Sequence, residues 1–155
     1  MKDRLKSKDI YLKNYLAWPI YLNDSQKVKN WKAEYKGLLK MINVEIDKEV
    51  EGMIEKKDKF VFPDTDENNY AWSKSLTKMR EIMISDCEAR ICAGGKAKGY
   101  KGKMPGVLEE ILIASQKKLP IYLLGGFGGI VHDICELIEN NYTSERLTLK
   151  WQEEN

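Results

Sequence analysis

Two glycine turns carry most of the chemistry this sequence offers: Gly94-Gly95, and Gly125-Gly126-Phe127-Gly128-Gly129. Glycine accepts positive φ and lets a bulky anion come close to backbone N–H groups. A helix opening directly after GGFGG would aim its unpaired N–H groups and its positive dipole end at the same spot. Gly125, Gly126, Gly128 and Gly129 are therefore predicted to cradle a phosphate or diphosphate; the plain alternative is a tight βα turn without a ligand. The GxGxxG dinucleotide fingerprint is absent, because Val131 stands at its third glycine position.

The stretch after Gly94-Gly95 reads KAKGYKGKMPG and does not fit GxxxxGK[ST], so it is no Walker A loop. It concentrates Lys96, Lys98, Lys101 and Lys103 with no acidic residue among them. Such a loop can fold over a ligand, with Lys96 and Lys103 neutralising phosphate and Tyr100 stacking on a base or ribose. The bland alternative is a solvated lysine loop. Pro105-Gly106-Val107-Leu108-Glu109-Glu110 then opens a helix, with proline at the first helical position and acids in the first turn. A carboxylate there, Glu109 or Glu110, would also lie near the mouth between the two glycine turns. It could hydrogen-bond ribose hydroxyls or stabilise an oxocarbenium-like centre during cleavage at an anomeric carbon. Ser73, Thr77 and Arg80 fall on one helix face, where Arg80 could clamp a phosphate or simply pair with a nearby acid. Arg90 is expected to be structural and His132 to lie on a helix surface. Cys92 and Cys135 read as buried small hydrophobes rather than nucleophiles.

Positioning these groups requires the strand–turn–helix repeat written around them. Short apolar runs at Ala89–Ala93 and Ile121–Leu124 each stop at a glycine pair, with a helix between and another after. That is the βαβ pattern of a parallel sheet, whose ligands sit outside the carboxyl ends of the strands. Upstream, Ile10, Leu12, Leu16 and Trp18 alternate in Asp9–Tyr21 and predict a strand ended by Pro19. Val28, Trp31, Tyr35, Leu38, Leu39 and Ile42 predict one amphipathic helix, which Ile46, Val50, Met53 and Ile54 could continue or follow with another. Phe60-Val61-Phe62 predicts a brief strand end. Trp72, Leu76, Met79, Ile82 and Met83 predict a helix ending near Asp86. The next helix is expected to bury Leu108, Ile111, Leu112 and Ser115, and the last clear one Val131, Ile134, Leu137 and Ile138. Leu147, Leu149 and Trp151 alternate as a final edge strand would. The expected fold is a three-layer α/β sandwich of four to five mostly parallel strands flanked by helices, all within one domain spanning 1–155.

Composition narrows the function. Of 155 residues, 43% are apolar and 32% charged, which suits a globular protein rather than a disordered one. The balance of 26 basic against 24 acidic side chains gives +2, too even to call for nucleic acid or an anionic membrane. No apolar run reaches membrane-span length, and Met1–Asp9 is charged, unlike a signal peptide. Three cysteines without CxxC and one histidine do not make a structural zinc site. The odd cysteine count without a secretion signal points to a reducing cytoplasm.

Taken together, the strand-GG-loop, the PGxxEE helix start and the strand-GGFGG turn resemble the SLOG superfamily over roughly residues 70–140. This Rossmann-like group includes the cytokinin-activating LOG phosphoribohydrolases, the DNA-processing protein Smf/DprA, and nucleotide-sensing domains of TRPM channels and of NAD-linked defence systems. LOG enzymes carry PGGxGTxEE. Residues 105–110 keep the proline, one glycine and both acids but lack the GxGT insert, which argues against LOG-type hydrolysis. The long glycine-lysine loop and GGFGG look closer to the branch found beside TIR and sirtuin-type NADases in antiphage systems. The resemblance implies a nucleotide-binding module for ADP-ribose or a related NAD-derived or cyclic nucleotide, requiring no other cofactor. In it Gly94, Gly95, Gly125, Gly126, Gly128 and Gly129 would line the phosphates, Lys96, Lys103 and Arg80 would supply charge, and Glu109 would meet the ribose. It also implies a homo-oligomer, at least a dimer; a domain this short could act with a separately encoded effector. The alternatives are a nucleotide N-ribohydrolase or deoxyribosyltransferase-like enzyme using Glu109 or Glu110, and a ligand-free oligomeric scaffold contacting through Trp31, Tyr35 and Trp151.

Overall fold

Parallel strand pairing, twice over, sets the frame of this α/β chain. The structure, a computed structural model, describes residues 12–23 and 25–154, without the side chains of Lys27 and Trp31. Expectations for Met1–Tyr11 and for the Trp31 ring lie outside those residues. Strand β1 (Leu12–Ala17) runs parallel to β2 (Leu39–Val44), with Leu12 opposite Leu39 and Ala17 opposite Val44. Between them lies α1 (Gln26–Glu34). The single helix predicted across Val28–Ile42 is thus two elements. Gly37 takes φ +90° in the turn after α1 and breaks the helix, and the chain from Leu39 pairs with β1 instead. Side-chain spacing could not reveal this, because pairing along a neighbouring strand overrides local preference.

The apolar residues after β2 form no helix beyond a 3₁₀ turn at Glu51–Met53. Ile46, Val50 and Ile54 instead fold inward against Trp18 and Ala71. Phe60-Val61-Phe62 is a loop, not a strand end. Phe60 meets Phe62 edge-on at 4.9 Å and Trp72 at 6.0 Å, and the Trp72 indole donates to the Val61 carbonyl at 2.9 Å.

Helix α2 (Asp66–Ser85) ends where the spacing predicts and starts earlier, taking in Asp66–Asn69, which the sequence reads as loop. The Thr65 hydroxyl caps it by accepting the Asn68 N–H at 3.2 Å, and Asp66 and Glu67 favour the first turn. Its buried stripe ties two regions together: Trp72 and Leu76 pack on Ala17 of β1, while Ile84 packs on Ile113 and Ala114 farther along the chain.

Strands β3 (Arg90–Ala93) and β4 (Ile121–Leu124) pair in parallel with Cys92 opposite Leu123. Helix α3 (Gly106–Gln116) connects them and α4 (Gly129–Asn140) follows. The helices bury Ile111, Ile130, Val131 and Ile134 around Cys92. Leu112, Ser115, Leu137 and Ile138, expected inside, are exposed, and Ile113 and Ile130 take the inward positions. The expected edge strand at the end is a 3₁₀ turn (Glu145–Leu147) and α5 (Leu149–Glu154). Thr148 caps α5, its hydroxyl accepting the Trp151 N–H at 3.3 Å. The strands form two separate two-stranded parallel sheets, β1-β2 and β3-β4, where one sheet of four to five strands was expected.

Candidate functional site

The two glycine turns meet at the carboxyl ends of β3 and β4. Gly129 has φ +67°, and a Cβ there would come within 2.7 Å of the Gly94 carbonyl carbon and 2.8 Å of its oxygen, besides striking Gly95 O. Gly95, at φ +91°, sits equally tightly, since a Cβ would fall 2.8 Å from Ile130 Cγ2 and 3.0 Å from Val107. This close approach spends the donors expected to greet a phosphate. The Ile130 N–H donates to Gly95 O and the Val131 N–H to Gly94 O, both at 3.0 Å. The start of α4 is therefore capped by the chain's own carbonyls. Gly126 and Gly128 border open space, and Phe127 between them is 75% exposed.

The start of α3 is different. Pro105 provides no side-chain cap, and within the described residues no acceptor meets the N–H groups of Gly106, Val107 or Leu108. The first bond into the helix is Glu109 N–H to Pro105 O at 3.0 Å. The lysine loop, residues 96–104, leads directly into this open end. Lys96, Lys98 and Lys101 are exposed and form no ion pair among the described residues, whereas Lys103 lies 3.5 Å from Glu109 Oε1.

Glu109 and Glu110 do not face an open mouth. Glu109 is 1% exposed. It accepts the Thr77 hydroxyl at 2.5 Å and Arg80 Nη1, besides pairing with Lys103. Glu110 pairs with Arg90 and lies 3.9 Å from Arg80 Nε. Arg80 is likewise buried, its guanidinium held under the loop and the start of α3. A Cβ at Gly106 would fall 2.6 Å from Arg80 Nη2, and one at Gly102 3.0 Å from Nη1. Arg80 and Arg90 are thus spent on Glu109 and Glu110 rather than turned outward to a ligand, whereas Lys103 keeps 55% of its side chain exposed beside Glu109. Thr77, grouped with Arg80 by spacing, joins the same network.

Tyr100 is held from the far end of the chain, donating its hydroxyl to Gln152 Oε1 of α5 at 2.6 Å. Gln152 in turn donates to the Arg146 carbonyl at 2.6 Å, and Arg146 pairs with buried Asp133 at 2.6 Å. Nothing in the sequence marks Asp133, Arg146 or Gln152 as partners here, because no local signal links Tyr100 to Gln152, 52 residues apart. His132 is exposed on α4. Cys92 is buried, and that burial pushes its thiol pKa up, away from the thiolate a nucleophile needs. Among the described residues no group of three or more His, Cys, Asp or Glu is placed to hold a metal ion, and no helix is long and apolar enough to cross a membrane.

A family model described as SLOG cluster2 matches residues 1–155. No curated protein and no solved structure matches the chain.

Proposed function

The chain belongs to the SLOG cluster2 family, and from that premise we propose that it binds ADP-ribose or a related NAD-derived or cyclic nucleotide without cleaving it. The observation that carries this reading is the lysine loop beside the open start of α3. Lys96, Lys98 and Lys101 carry unpaired positive charge on the loop that leads into the free backbone N–H groups of α3, and the two together favour phosphate. The site also lies at the carboxyl ends of parallel strands.

The state of the carboxylates favours binding over hydrolysis. A glycosidic-bond hydrolase needs an acid free to meet the sugar, and Glu109 and Glu110 are both engaged with cations.

The test is retention of intact nucleotide by the purified protein. ADP-ribose, NAD, cyclic ADP-ribose and AMP are each equilibrated with it, and bound and free fractions are identified by mass spectrometry. One of them is expected to be retained unaltered. Lys96→Glu combined with Lys98→Glu and Lys101→Glu is expected to weaken retention at least tenfold, and raised salt to weaken it in the wild type. Retention of none of the four, or release of free base, would refute the proposal.

A further inference from the structure

The lysine loop has no backbone support of its own. Among the described residues, no backbone–backbone hydrogen bond is made by residues 96–104. The loop is fixed by side chains instead. Ala97 packs on the core around Cys92, Lys103 lies 3.5 Å from Glu109 Oε1, and Tyr100 donates to Gln152 Oε1 at 2.6 Å. The first two hold the loop near its ends, and Tyr100 holds its middle. Gly99 beside it has φ +68° and borders open space, so packing there adds nothing to that hold. The partner of Tyr100 comes from the last helix of the chain, which is itself anchored. Leu147, in the turn before α5, packs on the same core as Ala97. Arg146 donates to Asp133 Oδ1 at 2.6 Å, and Asp133 is 3% exposed. Its other oxygen, Oδ2, is buried without a hydrogen-bond partner among the described residues. Lifting Arg146 away would therefore strand a buried carboxylate, a cost that keeps the segment down.

We propose that Gln152 is a positioning residue of the anion site, holding the lysine loop in one arrangement through Tyr100. Its amide spans the two parts: Nε2 donates to the Arg146 carbonyl at 2.6 Å while Oε1 accepts from Tyr100. The anchored end of the chain is thereby joined to the middle of the loop, between Lys98 and Lys101. The inference rests on the reading of this loop as a phosphate site. A loop ordered before the anion arrives pays less conformational entropy on binding. Loss of the Gln152 contact therefore weakens anion affinity without altering any lysine.

Limited trypsin digestion of the full chain without ligand, read site by site by mass spectrometry, tests the hold on the loop. Cleavage after Lys98 and Lys101 is expected to speed up about fivefold in Gln152→Leu and in Tyr100→Phe, the worth of one neutral hydrogen bond. Adding Tyr100→Phe to Gln152→Leu is expected to change nothing further, because both remove the same contact. Cleavage after Lys56, an exposed lysine in the first half of the chain, is expected to stay at the wild-type rate. Tyr100→Phe removes a single hydroxyl and keeps the test decisive if Gln152→Leu fails to fold. Titration with inorganic pyrophosphate is expected to show about fivefold weaker binding in either variant. Unchanged loop cleavage in both variants would overturn the inference, and so would wild-type pyrophosphate affinity in a variant whose loop had loosened. A wild type that binds no pyrophosphate would count against the phosphate reading, while faster loop cleavage in the variants would still uphold the hold of Gln152 on the loop.

Discussion

Replacing Glu109 by glutamine separates a structural carboxylate from a catalytic one. Glu109 is 1% exposed and serves three donors: the Thr77 hydroxyl at 2.5 Å, Arg80 Nη1, and Lys103 Nζ at 3.5 Å. Glutamine keeps the shape and can still accept from Thr77, but it leaves the Arg80 guanidinium buried without its principal anion. Removing one partner of a buried pair costs about 3–5 kcal/mol. Glu110 remains 3.9 Å from Arg80 Nε but is already engaged by Arg90, so partial compensation puts the loss at about 3 kcal/mol. For a chain of this size that lowers Tm by about 6–12 °C. Urea unfolding and a thermal melt at pH 7 read the effect directly. Removing both charges together, Glu109→Leu with Arg80→Met, is expected to recover most of the loss, because the expensive state is the lone buried charge rather than the missing pair. Stability of Glu109→Gln within about 0.5 kcal/mol of wild type would refute this reasoning. A stable variant that had lost a turnover present in the wild type would restore the catalytic reading of Glu109.

The glycine junction and the tyrosines supply two further tests. Gly129→Ala forces a side chain onto the Gly94-Gly95 backbone at φ +67° and is expected to cost more than 2 kcal/mol, whereas Gly126→Ala enters open space and is expected to stay within about 0.5 kcal/mol of wild type; equal denaturation midpoints for the two would contradict the packing. Tyr15 is pushed up to about 12, first by donating its hydroxyl to Asp86 and then by burial, and Tyr21 to about 12, first by burial and then by its bond to Glu45. Because both folded values lie above the ordinary 10, the fold favours the neutral hydroxyls: their contribution is complete below pH 10 and is lost as pH rises through 12. Absorbance at 295 nm should show a late-ionising group that shrinks in Tyr15→Phe, and a single step near pH 10 for all eight tyrosines would contradict the assignment.

The second half of the chain was legible because its signals are local. Glycine pairs end β3 and β4 and Pro105 opens α3, so the order of these elements followed from spacing alone. The first half misled for an equally physical reason. Leu38, Leu39 and Ile42 continue a three-and-four spacing from α1, yet β2 forms there because β1 supplies a partner along its whole length. Likewise Thr148 turns an alternating apolar stretch into the start of α5. At the site, the residue types were readable but their partners were not. Whether Arg80 meets a ligand or Glu109, and whether Tyr100 meets a base or Gln152, depends on contacts 29 and 52 residues apart. Hydrophobic pattern is silent about such distances.

The two βα turns do opposite work, and charge explains why both are needed. At GGFGG the close approach of Gly129 to Gly94 and Gly95 lets their carbonyls cap α4, which fixes the second turn against the first and leaves α4 poorly placed to donate to an anion. At the first turn the acids are neutralised from below: Arg80, Arg90 and Lys103 match Glu109 and Glu110, so neither carboxylate projects negative charge toward the open N–H groups of α3. What remains above is Lys96, Lys98 and Lys101, uncompensated on a loop tethered by Lys103 at one point and by Tyr100 at another. Their like charges repel one another unless an anion sits among them. On the proposed function, a phosphate or diphosphate at the start of α3 would relieve that repulsion. The buried ion network thus holds both acids away from the open N–H groups and fixes the loop at Lys103.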